Sequence, residues 1–150
     1  MNMPEYVTKD EVKRVCTELK LRDWSGISEP VITREEASTI LQAVNTQHME
    51  IAIDDFRQGL EVELEHGTRY EDANVTNNHP LLTGKIVLAH LKETGDYYKR
   101  ILVAEMEGDL LKAITSRDLE SIVSKYQKLI GAQQTLAAEV EKQLKSSLAL

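Results

Sequence analysis

The sequence has little of what several protein classes require. Its 150 residues include one cysteine, three prolines and seven glycines, and aromatic residues make up 5% of the chain. A single cysteine excludes an intramolecular disulfide and a zinc site built from several cysteines. Few glycines, prolines and aromatic residues favour helices over a β-sandwich. The composition therefore predicts an all-α protein, in which Cys16 is a small buried apolar residue.

The sequence also lacks an excess of positive charge and a long apolar run. The formal net charge of −7 and the isoelectric point near 5.1 argue against binding to a nucleic-acid backbone. No apolar run reaches membrane-spanning length, and the N-terminus has no signal-peptide core. We therefore expect a cytoplasmic protein with neither a nucleic-acid partner nor a membrane partner.

The length of the chain predicts a single domain, residues 1–150. Within it, capping residues mark the start of the first two helices. Thr8 and Glu11 have the spacing of a capping box, which predicts a helix to about residue 21. Thr33 and Glu36 repeat the spacing and predict a second helix to about residue 44.

The two central helices are predicted at about residues 54–66 and 83–107. Gly67 suits the left-handed position just past the first of them. Thr83 is expected to cap the second, which is expected to bend at Gly95. The expected fold is a small helical bundle centred on these two helices.

Both central helices carry acidic and imidazole groups on faces that should be apolar. Glu63 continues an apolar stripe at helical spacing, and His66 follows it by three residues. On the second helix, His90, Glu93 and Tyr97 occupy the same kind of stripe. Buried polar groups need hydrogen-bonding partners, so we expect these five side chains to form a buried polar cluster.

Two interpretations of this cluster stay open. In the first, a hydrogen-bonded network fixes the register of the two helices without any cofactor. In the second, Glu63, His66, His90 and Glu93 bind a transition metal such as zinc, iron or manganese and support hydrolytic or oxidative chemistry. No complete catalytic signature is present, so no catalytic residue is predicted.

A long amphipathic helix is predicted at the C-terminus, from about residue 116 to about residue 148. Its apolar residues recur at alternating steps of three and four, which is a heptad pattern. Gln133 is the polar member of the pattern, and such a residue can fix register or partner number. We expect this interaction seam to bind a second copy of the chain or a helical protein partner; its members are Leu119, Ile122, Tyr126, Leu129, Gln133, Leu136 and Val140.

The central blocks resemble a small bacterial and bacteriophage family of unknown function. The blocks are IDDFRQGLEVELEHG, then NVTNNHPLLTGKIVLAHLKETGDYY, then Glu105-Met106-Glu107, and the upstream ITREEASTI is also similar. The resemblance covers about residues 32–107 and brings no known activity with it. It implies that a virion or phage-assembly role, in a virion or a host cytoplasm, is a specific form of the assembly function expected here.

The leading expectation is therefore a non-enzymatic interaction or assembly protein that needs no cofactor. The alternative is a metal-binding helical protein with the Glu/His site described above. The two hypotheses place function in different parts of the chain, since assembly depends on the C-terminal helix and metal chemistry on the central pair.

Overall fold

The computed structural model describes residues 7–148, and all regular secondary structure within them is helical. This confirms the predicted all-α bundle with a long C-terminal helix. None of the helices among these residues is long and apolar enough to cross a membrane. The helices are α1 Lys9–Glu18, α2 Arg34–Val44, α3 Ile53–Arg69, a short 3-10 helix Glu71–Ala73, α4 Pro80–Glu93, α5 Tyr97–Thr115 and α6 Leu119–Leu148.

The chain divides into two compact units, Met1–Glu93 and Thr94–Leu150. The first contains α1 to α4 and the second contains the α5–α6 pair. That the two units form one domain, as the length predicts, stays a prediction.

The core of the first unit lies where α2, α3 and α4 pack together, with α1 against α4. Gly84 allows α4 to approach α2, because a Cβ atom added to it would lie 2.6 Å from Cγ2 of Ile40. The helices bury the apolar stripes that helical spacing predicts. The largest fully buried apolar side chains of this core are Val12, Trp24, Ile40, Phe56, Leu60, Leu64 and Val87.

A buried carboxylate ties the connector between α1 and α2 to the helix that follows it. Glu36 is 8% exposed, and its Oε1 accepts hydrogen bonds from Trp24 Nε1 at 3.2 Å and Arg22 Nε at 3.1 Å. Its Oε2 accepts from the Thr33 amide at 3.0 Å, while the Thr33 hydroxyl accepts from the Glu36 amide at 3.1 Å. The predicted capping box therefore forms in full and also anchors the buried Trp24.

The other predicted capping box forms only in part. The Thr8 hydroxyl accepts from the Glu11 amide at 3.2 Å, as predicted. The Glu11 carboxylate, however, pairs with Arg14 at 2.7 Å instead of returning to the helix N-terminus. A guanidinium one turn away offers this carboxylate two strong donors, so the ion pair replaces the second half of the box.

Several predicted helix boundaries are wrong, among them the end expected at about residue 107, because α5 continues to Thr115. α3 continues through Gly67 to Arg69, and no glycine among the described residues has a positive φ. α4 begins at Pro80, so Thr83 is buried inside it rather than capping it. The helix expected to bend at Gly95 is instead two helices, α4 and α5, separated by three residues. Proline suits the first position of a helix because its missing N–H has no partner there anyway.

Asp96 stabilises the start of α5. Its carboxylate is buried and accepts from Arg100 Nε and Nη2, both at 2.8 Å, and from the Thr94 hydroxyl at 2.5 Å. The hydrogen bonds from Arg100 and Thr94 outweigh the effect of burial and lower the pKa of Asp96 below 3.8.

The second unit is an antiparallel hairpin of α5 and α6. α5 runs without a break through Gly108 and Asp109. Lys125 lies 2.6 Å from Asp109, and further from the turn Lys99 lies 4.0 Å from Glu139. Asp109 and Lys125 are equally far from the turn, and Lys99 and Glu139 differ by about one helical turn, which fits an antiparallel hairpin.

Replacing Glu36 with alanine should lower the free energy of unfolding by about 2–3 kcal/mol, because the buried Trp24 N–H loses its charged acceptor. Urea denaturation would measure the change. Glu35→Ala removes an exposed carboxylate from the same helical turn and should cost less than about 1 kcal/mol. Equal losses from the two variants would contradict an anchoring role for Glu36.

Asp96→Asn should destabilise the protein at neutral pH and have little effect in acid. A lowered native pKa means that the ionised form stabilises the fold above the unfolded pKa of about 3.8. This contribution disappears as the pH falls through the lowered native pKa, so the difference between wild type and variant should shrink as the solution is made more acidic than the unfolded pKa. Denaturation at pH 7 and at several acidic pH values would test this, with exposed Asp72→Asn as the charge-matched control.

Candidate functional site

The polar cluster predicted between the two central helices forms in part, between α3 and α4. Nδ1 of His90 lies 3.2 Å from Oε1 of Glu63, and Nδ1 of His66 lies 3.8 Å from Oε2 of the same residue. The side chain of Glu63 is 16% exposed, that of His90 28% and that of His66 58%. Glu63 is thus the centre of a group at the edge of the helix interface rather than in its core.

The prediction that Glu93 is buried in this cluster is wrong, because Glu93 is exposed at the end of α4. The buried stripe of α4 passes through Gly84, Val87 and Leu91, about a third of a turn from the stripe that contains His90 and Glu93. Tyr97 belongs to the other unit, where its ring packs edge-on against Tyr98 with centroids 5.2 Å apart.

The described residues contain no group of three or more His, Cys, Asp or Glu side chains placed to hold a metal ion. Of the two carboxylates in the predicted four-ligand set, Glu63 lies close to both imidazoles. Metal binding and the metal-free hydrogen-bonded network both stay hypotheses of the sequence.

Asparagine side chains join the loop after α3 to that helix through hydrogen bonds. We call this segment, residues 74–78, the asparagine loop. The Asn74 amide donates to the Gly67 carbonyl at 3.1 Å and to Oδ1 of Asn78 at 2.9 Å. Thr76 links them further, since its hydroxyl donates to Asn74 Oδ1 at 3.3 Å and accepts from the Asn78 amide at 3.2 Å. Asn77 and Asn78 have φ values of 48° and 61°, a conformation that asparagine tolerates better than most residues.

Gly67 is required by this loop and not by a helix end. A Cβ atom at Gly67 would lie 2.4 Å from Asn78 Oδ1 and 2.9 Å from Asn74 Nδ2. The glycine of the VELEHG block and the asparagines of the NVTNN block are therefore in direct contact. Their separation along the chain hid this from sequence reasoning, although paired asparagines before a proline are a signal of a built turn.

His79 is a buried cap of α4. Its Nδ1 accepts hydrogen bonds from the amides of Leu81 at 3.2 Å and Leu82 at 3.4 Å, and it is 7% exposed. Burial is the main cause that lowers the pKa of His79, which keeps the imidazole neutral and able to accept. This is the role that Thr83 was expected to have.

Two cavities of the first unit adjoin the asparagine loop. One has a volume of about 340 Å³ and the other about 150 Å³, and Gly67 and Asn74 line both. The smaller cavity also includes Glu63 and His66 in its wall. The walls of the larger cavity are mainly polar. Besides Gly67 and Asn74, they include Lys9, Ser25, Ser28, Thr68, Glu71, Asn77 and Asn78.

The predicted seam of α6 separates into two rows. Leu129 is buried, and Ile122, Leu136 and Val140 are half-buried. The remaining members of the seam are exposed, so α5 does not cover the whole seam. These members are Leu119, Tyr126 and Gln133. Ion pairs place the first row towards α5, since Lys125 and Glu139 lie on the same side of α6.

The comparisons with known proteins identify a family without a described function. A family model described as protein of unknown function (DUF5661) matches residues 12–107. The match begins 20 residues before residue 32, where the resemblance was expected to start, and so includes most of α1. No curated protein and no solved structure matches the chain.

Gly67→Ala should destabilise the protein, while Gly108→Ala should stabilise it. Both residues lie within helices, where alanine normally gains about 0.5–1 kcal/mol over glycine. At Gly67 the added methyl group meets the asparagine amides, and such overpacking costs about 1–3 kcal/mol. At Gly108 nothing lies within 4 Å of the added Cβ. Thermal denaturation of both variants would test the contrast in sign.

A double-mutant cycle with Glu63→Ala and His90→Ala should give a coupling free energy of about 0.5–1 kcal/mol, as expected for a partly exposed pair.

Elemental analysis of the untagged protein distinguishes the metal alternative. Near-stoichiometric transition metal in the wild type, lost in a His66→Ala/His90→Ala variant, would overturn the structural interpretation.

Proposed function

The chain belongs to the DUF5661 family of proteins of unknown function, and we propose that it is a non-enzymatic interaction or assembly protein. We place its binding surface on the α5–α6 hairpin. A virion or phage-assembly role remains the finer form of this proposal, and it comes from the sequence resemblance alone.

The observation that carries the proposal is the concentration of exposed apolar side chains on the hairpin. Eight of the eleven large apolar residues that are exposed in the described chain lie there. Leu119 is 77% exposed and Tyr126 is 55% exposed. Contiguous apolar patches of this kind mark protein-binding surfaces. The eight residues are Leu111, Ile114, Leu119, Val123, Tyr126, Ile130, Leu144 and Leu148.

The exposed large apolar residues of α6 and Ala137 lie on one face, which Glu141 and the glutamines at 133 and 134 interrupt. At 100° per residue, they fall within a sector of about 60° around the helix axis. This sector is about a quarter to a third of a turn away from the row that faces α5, so packing within the hairpin leaves it uncovered. We name it the α6 stripe; it consists of Leu119, Val123, Tyr126, Ile130, Ala137, Leu144 and Leu148.

The hairpin extends the α6 stripe onto α5. In an antiparallel pair, equal rotations from the contact line point to the same side of both helices, and this places Ile114 on the side of the stripe. α6 also lies beyond the residues that the family model matches. Both observations support a surface that serves a partner particular to this protein.

The test is capture of partners from a lysate of the source organism or infected host by the immobilised full chain. Val123→Glu/Tyr126→Glu places two charges on the α6 stripe and should reduce specific capture by about tenfold or more, because burying unpaired charges opposes association. Quantitative mass spectrometry of the bound proteins would measure the loss.

Ser124→Glu/Lys128→Glu is the matched control, because both residues are exposed on the opposite side of α6. It should capture as much as the wild type. Circular dichroism should establish that both variants keep their helices. Equal capture by the wild type and the stripe variant would refute the proposed function.

A further inference from the structure

We propose that the α6 stripe binds the α6 stripe of a second copy of this chain, antiparallel, about a two-fold axis between Gln133 and Gln134. This inference rests on the proposed function and deepens it by naming the partner. It commits the surface to an isologous contact, in which each residue meets a defined residue of the other copy.

The order of residues along the stripe supports this arrangement. Positions at equal distances from the midpoint between Gln133 and Gln134 are matched in character. Apolar residues face apolar residues at the three pairs Leu119–Leu148, Val123–Leu144 and Ile130–Ala137, where the second residue belongs to the other copy. At the fourth pair the phenol of Tyr126 meets the carboxylate of Glu141 and can donate a hydrogen bond to it.

The centre of the stripe is polar, and antiparallel pairing satisfies it. Gln133 and Gln134 flank the two-fold axis, so each amide meets the amide of the other copy. Each amide carries both donors and an acceptor, and the two copies can therefore bond reciprocally. A polar pair inside an apolar helix contact fixes the register, because any shift of the helices would leave amides against apolar side chains.

Charges beside the stripe are complementary in the same register. Glu120 and Lys145 lie on the same edge of the stripe, near opposite ends of α6. In the antiparallel arrangement Glu120 of each copy lies opposite Ser147 of the other and two residues from Lys145, whose long side chain can reach it, and symmetry produces this pair twice. The charges are therefore compatible with the antiparallel contact.

The size of the contact predicts a concentration-dependent dimer. A helix of 30 residues is about 45 Å long, so a stripe about 10 Å wide gives a footprint of about 450 Å² on each copy. The total of about 900 Å² is close to the lower limit of about 1,000 Å² for specific interfaces.

Sedimentation of the purified full chain over a range of concentrations is the first test. We expect a monomer–dimer equilibrium that Val123→Glu/Tyr126→Glu abolishes and Ser124→Glu/Lys128→Glu preserves. A wild type that stays monomeric up to about 1 mM, the weakest affinity worth assigning to such a contact, would overturn the proposal. If stripe-dependent capture of other proteins then persists, the proposed function survives and only the second copy is excluded.

Charge reversal tests the orientation. Glu120→Lys and Lys145→Glu should each weaken dimerisation by about tenfold or more, since each creates two like-charge pairs by symmetry. The two variants mixed together should associate as well as the wild type, because all pairs in the heterodimer are again opposite in sign. A mixture no tighter than its components would overturn the antiparallel register.

Cysteine cross-linking gives an independent readout of the same register. Under oxidation, Val123→Cys mixed with Leu144→Cys should form the mixed disulfide in preference to either symmetric one. Cys16 does not interfere, because it is buried and burial raises the pKa of its thiol. Predominant Val123→Cys homodimers would indicate a parallel contact and contradict the proposal.

Discussion

The first unit depends on one buried carboxylate, that of Glu36. Its position at the third residue of α2 lets it complete the helix cap, while its second oxygen accepts from the indole of Trp24. The carboxylate thereby fixes the connector after α1 against the start of α2. A burial cost that would be large for an isolated charge is offset because donors surround the group, among them Arg22.

In the asparagine loop, too, hydrogen bonds satisfy the polar side chains, and here the groups are neutral amides. Gly67 leaves room for two amides, and these amides satisfy each other and a helix carbonyl. The imidazole of His79 then caps the following helix while staying neutral in its buried position. Several polar residues of the motif blocks thus form hydrogen bonds with groups of the same blocks.

Features that depend on neighbours along the chain could be predicted from the sequence, and features that depend on distant packing could not. Thr33 and Glu36 are three residues apart, so the cap of α2 was visible in the sequence. The face of α4 that becomes buried was not, because Gly84 determines it through contact with Ile40 of α2. Sequence periodicity placed Glu63 near His90, as the structure does, but could not place Glu93 outside the core.

The same limit explains the C-terminal helix and shapes its function. Heptad spacing predicted a seam on α6, but α5 covers only one row of it, and a neighbouring face remains apolar and exposed. A helix in a two-helix hairpin can bury one face only, whereas the sequence of α6 provides apolar residues for two. The second face is the surface for which we propose a partner outside the hairpin. The matched order of residues about Gln133 and Gln134 favours a second copy of α6 as that partner.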